Sequence, residues 1–233
     1  MTVAIPVHFS PSASAVAPAV PADLRAAGSM PGALRTARST MSAENPIAIF
    51  QTWFQEAIDS GMEEPSAMTV ATVDPDGSPD ARMLLLKGVD ERGFVFYTNL
   101  RSAKAKALMH DSRVALCFYW AGIGKQVRVR GRATIVSDAE ADAYFATRPR
   151  LSQISAWASK QSQLMHGYFE LESEVAKTAL RFGLGEIPRP PFWSGFRVTP
   201  ERIEFWIQKT FRRHERILYQ RVDGTWQKQW LYP

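Results

Sequence analysis

Apolar and polar positions alternate in several short runs of this chain, and that period of two marks β-strands. The runs are Met68 to Val73, Ala81 to Lys87, Phe94 to Thr98, Val114 to Trp120 and Gln126 to Val136. Further strands are expected near 195–199, 202–207, 214–221 and 225–231. Asp74-Pro75-Asp76-Gly77 is a turn sequence between the first two runs, and Asp90-Glu91-Arg92-Gly93 makes a second break. Helical spacing takes over elsewhere. Asn45 suits an N-cap and Pro46 a first helical position; Ile47, Phe50, Phe54 and Ala57 then share one face, and Gly61 is a stop signal. Residues 101–110 read as helix. Ser137-Asp138-Ala139-Glu140 is a capping box that opens a helix through Phe145. Helical stretches cover about 151–160 and 166–183, ended by Pro188, Pro190 and Pro191. Antiparallel strands with short turns, interrupted by helices, predict a mainly β, α+β class: an antiparallel barrel with helices packed outside.

Residues 1–43 break the pattern. They are rich in Ala, Pro and Ser, and Asp23 is their only acidic residue. Such a segment buries too little apolar surface to offset its ordering entropy, so it reads as a disordered or loosely attached extension before a folded domain at 44–233. Its Arg/Ser-rich character also suits an organelle transit peptide; otherwise the cytoplasm is the expected location. No run is long and apolar enough to span a bilayer.

Composition narrows the partners. The net charge is +5, with a pI near 9.5, which favours anionic ligands. The basic residues are scattered and form no nucleic-acid signature, so a small phosphorylated ligand fits better than RNA or DNA. Cys117 is the only cysteine, which excludes an internal disulfide, and its strand context reads as a packed structural thiol. The four histidines show no metal-ligand spacing. Neither a P-loop nor a dinucleotide fingerprint is present.

Several groups suit an anion. Read as strand, Arg212, His214 and Arg216 fall on one face. Two guanidiniums and an imidazole there make either an anion or electron-rich-ring site, or a solvated edge strand. Arg82 and Lys87 cap an apolar strand on opposite faces, unless one lies past its end. Tyr97-Thr98-Asn99 leads to Arg101, Ser102 and Lys104 at a helix start, where free N–H groups favour phosphate. Gln126, Arg128 and Arg130 share a face, with Val127 and Val129 inward. Tyr144, Arg148, Arg150 and Ser152 form a second anion-friendly group.

Seven motifs, in order and at matching spacing, then resemble one family. They are Asn45-Pro-Ile-Ala-Ile-Phe, Arg82-Met-Leu-Leu-Leu-Lys87, Phe96-Tyr-Thr-Asn99, Arg148-Pro-Arg-Leu-Ser-Gln-Ile154, Trp157-Ala-Ser-Lys-Gln-Ser162, Phe192-Trp-Ser-Gly-Phe-Arg197 and Arg212-Arg-His-Glu-Arg216. From about residue 45 onward the chain resembles pyridoxine (pyridoxamine) 5'-phosphate oxidase. The resemblance implies a homodimer of FMN-binding split β-barrels with FMN at the interface. It implies oxidation of pyridoxine or pyridoxamine 5'-phosphate to pyridoxal 5'-phosphate, with dioxygen as acceptor and hydrogen peroxide as product. It assigns Arg82, Lys87, Tyr97, Thr98, Lys104, Gln126, Gln161, Ser162, Trp206 and Arg216 to FMN. It assigns Lys87, Tyr144, Arg148, Ser152, Arg212 and His214 to the substrate, with Arg212 and His214 over the reacting ring. Ala103 stands where the family usually has Arg, and Arg101 is expected to supply that charge to FMN. Arg213 replaces a usual Leu. Two other readings are a split-barrel flavoenzyme acting on another ring, as in phenazine pathways, and a non-catalytic flavin or pyridoxal-phosphate carrier.

Overall fold

The computed structural model describes residues 45–233, so the expectations for the N-terminal extension lie outside the described residues. Helix α1 (Pro46–Asp59) starts as its sequence dictates: the Asn45 side chain accepts from the Ile47 amide at 2.9 Å. Its buried face carries Ile47, Phe50, Phe54 and Ala57 as their spacing predicts, and also Trp53. Phe50 meets Phe94 and Phe118 edge-on at 4.8 and 4.9 Å, and Trp53 meets Phe205 at 5.0 Å. α1 therefore plugs the core of the sheet with aromatic rings.

Nine antiparallel strands make the sheet. β1 (Ala67–Val73), β2 (Pro79–Leu85), β3 (Gly88–Asp90), β4 (Gly93–Asn99), β5 (Arg113–Trp120), β6 (Lys125–Ile135) and β7 (Trp193–Ile207) run in the order β2-β1-β5-β6-β7-β4-β3. β8 (Glu215–Val222) pairs with β7 and with β9 (Thr225–Leu231). β7 is the spine. Its first half pairs with β4, its second half with β8, and β6 lies along it from Phe196 to Ile207. The sheet thus curls into the expected α+β half-barrel, with helices outside. These are α2 (Ala103–His110), α3 (Asp138–Ala146), α4 (Arg150–Ala158) and α5 (Glu170–Phe182). No helix among the described residues is long and apolar enough to cross a membrane.

Three expectations need correction. The strands expected at 195–199 and 202–207 are one strand, because Pro200 sits at a bulge between Arg130 and Gly131 of β6. A Cβ on Gly131 would lie 2.1 Å from the Thr199 carbonyl oxygen, so only glycine admits this approach. Arg212 and His214 do not share a strand face with Arg216. β7 ends at Ile207, a 3-10 turn covers Thr210–Arg212, and β8 begins only at Glu215. Phe211 and Arg212 take left-handed φ values of 55° and 58°, which no extended strand allows. Cys117 is half-buried rather than packed in the core; it faces outward beside Arg128, while Leu116 and Phe118 point inward.

Candidate active site

A cleft of about 410 Å3 opens where β4 ends, bordered by β2, α3 and α4. Of the sequence-predicted residues it brings together Lys87, Tyr97, Thr98, Tyr144, Arg148 and Gln161. Lys87 reaches it because β2 stops at Leu85, which frees Lys87 from the strand's alternation. One wall is a stack of three near-parallel rings. Tyr97 lies 3.9 Å from Tyr144 and 5.3 Å from Trp193, with interplanar angles of 7° and 4°. Gly195 makes room for this stack: a Cβ there would stand 2.7 Å from the Tyr97 ring. The Arg148 guanidinium covers Trp193 at 4.8 Å.

The electrostatics favour an anion. Burial lowers the Lys87 pKa from its usual value; Glu64 offsets this in part, and Arg148 adds to it. Burial, then the charge of Arg82, lowers Lys104 likewise. Burial also lowers Arg148, and its Nη1 is buried without a hydrogen-bond partner. Among the described residues, none of these three cations pairs with a carboxylate. A cation held out of water without a counter-charge is compensated when a phosphate arrives. Burial raises Tyr144, and burial together with Glu140 and Tyr144 pushes Tyr97 up to about 12, so both phenols stay neutral donors.

Lys104 joins the cleft through a relay. Its Nζ donates to Thr98 Oγ1 at 3.3 Å, and that hydroxyl donates to Gln161 at 3.4 Å. Arg82 is near enough for its charge to act on Lys104. It donates to Thr72 Oγ1 at 2.8 Å and pairs with Asp80. Ser152 does not border the cleft but sits one turn before Ser155, which does. Ser162, on the loop after α4, is exposed and outside the lining, with a left-handed φ of 68°. Arg101 also stays outside: its guanidinium lies over the Phe192 ring at 4.3 Å.

Four of the other predicted residues form a second cluster. Gln126, Trp206 and Arg216 stand side by side across β6, β7 and β8. His214 lies against Trp206 at 4.6 Å, and its Nδ1 accepts from the Lys209 amide. Arg216 is held by Glu204 at 2.7 Å. Arg212, on its left-handed turn, borders this group in sequence. None of these five residues lines the cleft.

Two site residues escaped the sequence reading. Trp193 completes the ring stack. Asn99 ties the site together, accepting from the Arg101 amide at 2.8 Å and donating to the Ser159 carbonyl at 3.3 Å. Both lie inside motifs that the chain presents, and they pair across β4 and β7.

The family model described as "Pyridoxamine 5'-phosphate oxidase" matches residues 54–182. A second, "Pyridoxine 5'-phosphate oxidase C-terminal dimerisation region", matches residues 193–233. The pyridoxine/pyridoxamine 5'-phosphate oxidase of Azorhizobium caulinodans is 54% identical over 82% of this chain and 92% of its own length. That of Caulobacter vibrioides is 53% identical over 83% of this chain and 87% of its own. Among solved structures, PhzG from Burkholderia lata, in complex with tetrahydrophenazine-1-carboxylic acid, superposes with a TM-score of 0.78 at 28% identity. It covers 83% of this chain and 95% of that one.

Proposed function

We infer the reaction from one premise: the chain belongs to the pyridoxamine 5'-phosphate oxidase family. It oxidises pyridoxamine or pyridoxine 5'-phosphate to pyridoxal 5'-phosphate, with FMN as cofactor, dioxygen as acceptor and hydrogen peroxide as product. The observation that carries this reading is the unpartnered, buried Nη1 of Arg148 beside Lys87 in a cleft walled by stacked rings. A phosphorylated aromatic ring supplies what both features lack: an anion for the cations and a flat face for the wall.

The residues present fit the two phosphates. Lys104, Thr98 and Gln161, with Arg82 near Lys104, suit the FMN phosphate. Lys87, Arg148 and the neutral Tyr144 hydroxyl suit the substrate phosphate, with Ser152 within a helical turn. FMN, when bound, supplies the two-electron acceptor for the substrate's C4' hydride. Arg212 and His214 cover the substrate ring and fix its orientation, which is how positioned groups lower the barrier. Arg216 places positive charge where the reduced flavin gathers negative charge.

Gln126, Trp206, Arg212, His214 and Arg216 lie off the cleft, so a second copy of the chain is the natural source of these groups. The match of residues 193–233 to a dimerisation region supports a homodimer, and FMN at its interface would draw on the cleft of one copy and these groups of the other. Arg101 reaches the FMN phosphate only by leaving Phe192.

The test is spectroscopic. The purified protein is expected to be yellow, to bleach anaerobically with pyridoxamine 5'-phosphate, and to release peroxide in air. A protein that stays inert when supplied with FMN overturns the reading. Turnover of a phenazine-type ring in preference to the phosphorylated vitamer would favour the activity suggested by the PhzG likeness.

A further inference from the structure

We propose that Arg197, seconded by Arg189, is a positioning residue that sets selectivity for a phosphorylated substrate by clamping α3 to β7. The inference rests on the reading of the cleft above. Neither arginine is in the cleft lining. Both act on α3, the helix that places Tyr144 and ends just before Arg148.

The geometry is specific. α3 carries three carboxylates, and each meets one of these two arginines. Arg189 pairs with Asp138 at 2.6 Å and with Asp142 at 2.5 Å. Arg197 pairs with Glu140 at 2.6 Å and, through its other nitrogen, with Asp90 of β3 at 2.8 Å. Both arginine side chains are only 11% exposed, but Asp138 is 88% exposed against 28% for Glu140, so solvent screens the Arg197–Glu140 pair least and Arg197 carries most of the clamp. Arg189 also donates to the Trp193 carbonyl at 2.7 Å. One guanidinium therefore fixes α3 and the innermost ring of the stack together.

α3 needs such a clamp. A nine-residue helix is marginal by itself, and only Ala141 and Phe145 of α3 are buried. Glu140 and Tyr144 are one turn apart on the same side of the helix. A shift of Glu140 is thereby a shift of the Tyr144 ring against Tyr97, and of the Arg148 guanidinium that follows. The capping box opens α3 as expected, but only its Ser137 half is made. Ser137 and Glu140 form a capping box in sequence, and Ser137 does accept from the Glu140 amide. The Glu140 carboxylate, however, is spent on Arg197.

The test uses FMN-loaded enzyme carrying Arg197→Met, Arg197→Lys or Glu140→Gln. Glu140→Gln breaks one link and leaves the Arg197–Asp90 pair in place. Steady-state kinetics are measured with pyridoxamine 5'-phosphate and with pyridoxamine, alongside the dissociation constants for FMN and pyridoxal 5'-phosphate. A misplaced phosphate pocket is expected to raise KM for the phosphorylated substrate about ten-fold, with kcat and FMN affinity within about two-fold. Turnover of pyridoxamine, which has no phosphate to be misplaced, is expected to be the same as in the wild type, so selectivity falls by about the same ten-fold. Arg197→Lys, which can keep one of the two pairs, is expected to be intermediate. Equal losses on both substrates in a folded variant would make Arg197 merely structural and overturn the proposal, as would unchanged KM. Should Arg197→Met fail to fold, Glu140→Gln decides by the same criteria. A wild-type protein inert towards pyridoxamine 5'-phosphate would sink the functional reading alone. The clamp is then read from pyridoxal 5'-phosphate binding, which the variants are expected to weaken.

Discussion

Tyr97 and Tyr144 lie face to face, 3.9 Å apart and within 7° of parallel, although one stands on β4 and the other on α3. The contact joins the sheet to the helix that carries Tyr144 and ends just before Arg148. It is both a packing contact and the wall of the cleft. Tyr144→Phe keeps the ring and removes only the hydroxyl. It is expected to raise KM for pyridoxamine 5'-phosphate several-fold, as loss of one phosphate hydrogen bond does, with little change in melting temperature. Tyr144→Ala removes the stack, worth about 0.5–1.5 kcal/mol beyond burial, and is expected to lower stability in urea unfolding as well. Equal stability of the two variants would show that the stack contributes nothing.

Lys87 makes the cleft sensitive to pH. Burial first, and the charge of Arg148 after it, hold its pKa below 10.5 in the free protein, with Glu64 acting the other way. A bound phosphate restores the charge and raises that pKa. Substrate affinity is therefore constant below the lowered pKa and falls as pH rises through it, before an ordinary lysine would titrate. The stability of the free protein moves oppositely in this window. The unfolded chain binds the extra proton between the lowered value and 10.5, so stability rises with pH there. Pyridoxal 5'-phosphate titrations of wild type and Lys87→Arg check this. The arginine variant is expected to lose the alkaline limb, and an unchanged limb would assign it to the ligand.

Arg212 and Arg216 are close in sequence but differ in surroundings. Arg216 is paired with Glu204, a carboxylate only 6% exposed, and donates to the Tyr232 carbonyl. Arg212 lies on the left-handed turn. Arg212→Ala is expected to cut kcat/KM about 100-fold while FMN affinity stays within about two-fold. Arg216→Ala is expected to weaken FMN binding about ten-fold or more, as loss of a charge-assisted contact does. It also leaves Glu204 with Arg128 alone, at 3.3 Å, so a fall in melting temperature is expected in Arg216→Ala only. Equal loss of FMN in both variants would contradict this division.

The sequence made most strands legible because a sheet with one buried face writes its register as alternation. Val127 and Val129 inward with Gln126, Arg128 and Arg130 outward is an instance. Alternation also misled. Arg212, His214 and Arg216 alternate, yet the chain turns there through Phe211 and Arg212 in a left-handed conformation that neither residue type signals. Two strands were expected at 195–199 and 202–207 where β7 only bulges, since a bulge leaves room for Pro200, whose missing N–H is not needed there. Lys87, Tyr144 and Arg148 were reachable from motifs. Trp193 and Asn99 were not assigned, because their role comes from pairing β4 with β7 across a long loop, and sequence distance hides that neighbourhood.

The separation of the two clusters leads to a test of shared sites. Lys87, Tyr144 and Arg148 line the cleft, while Trp206 and Arg216 pair across β7 and β8 and His214, just before β8, lies against Trp206. If each site takes its cleft from one subunit and its second cluster from the other, two inactive variants can complement. Arg148→Ala damages the cleft and Arg212→Ala the second cluster. In a mixed dimer, one site then carries both lesions and the other carries neither. Random mixing makes half the dimers mixed, so about one quarter of all sites are intact, following from the isologous symmetry of such a dimer. Co-expression of the two tagged chains, followed by isolation of the mixed dimer, is expected to yield about half the wild-type activity per dimer by the same arithmetic. If the whole site lay within one chain, every site in the mixed dimer would keep one lesion and no activity would return. A purified mixed dimer as inactive as its parents would therefore exclude the shared site.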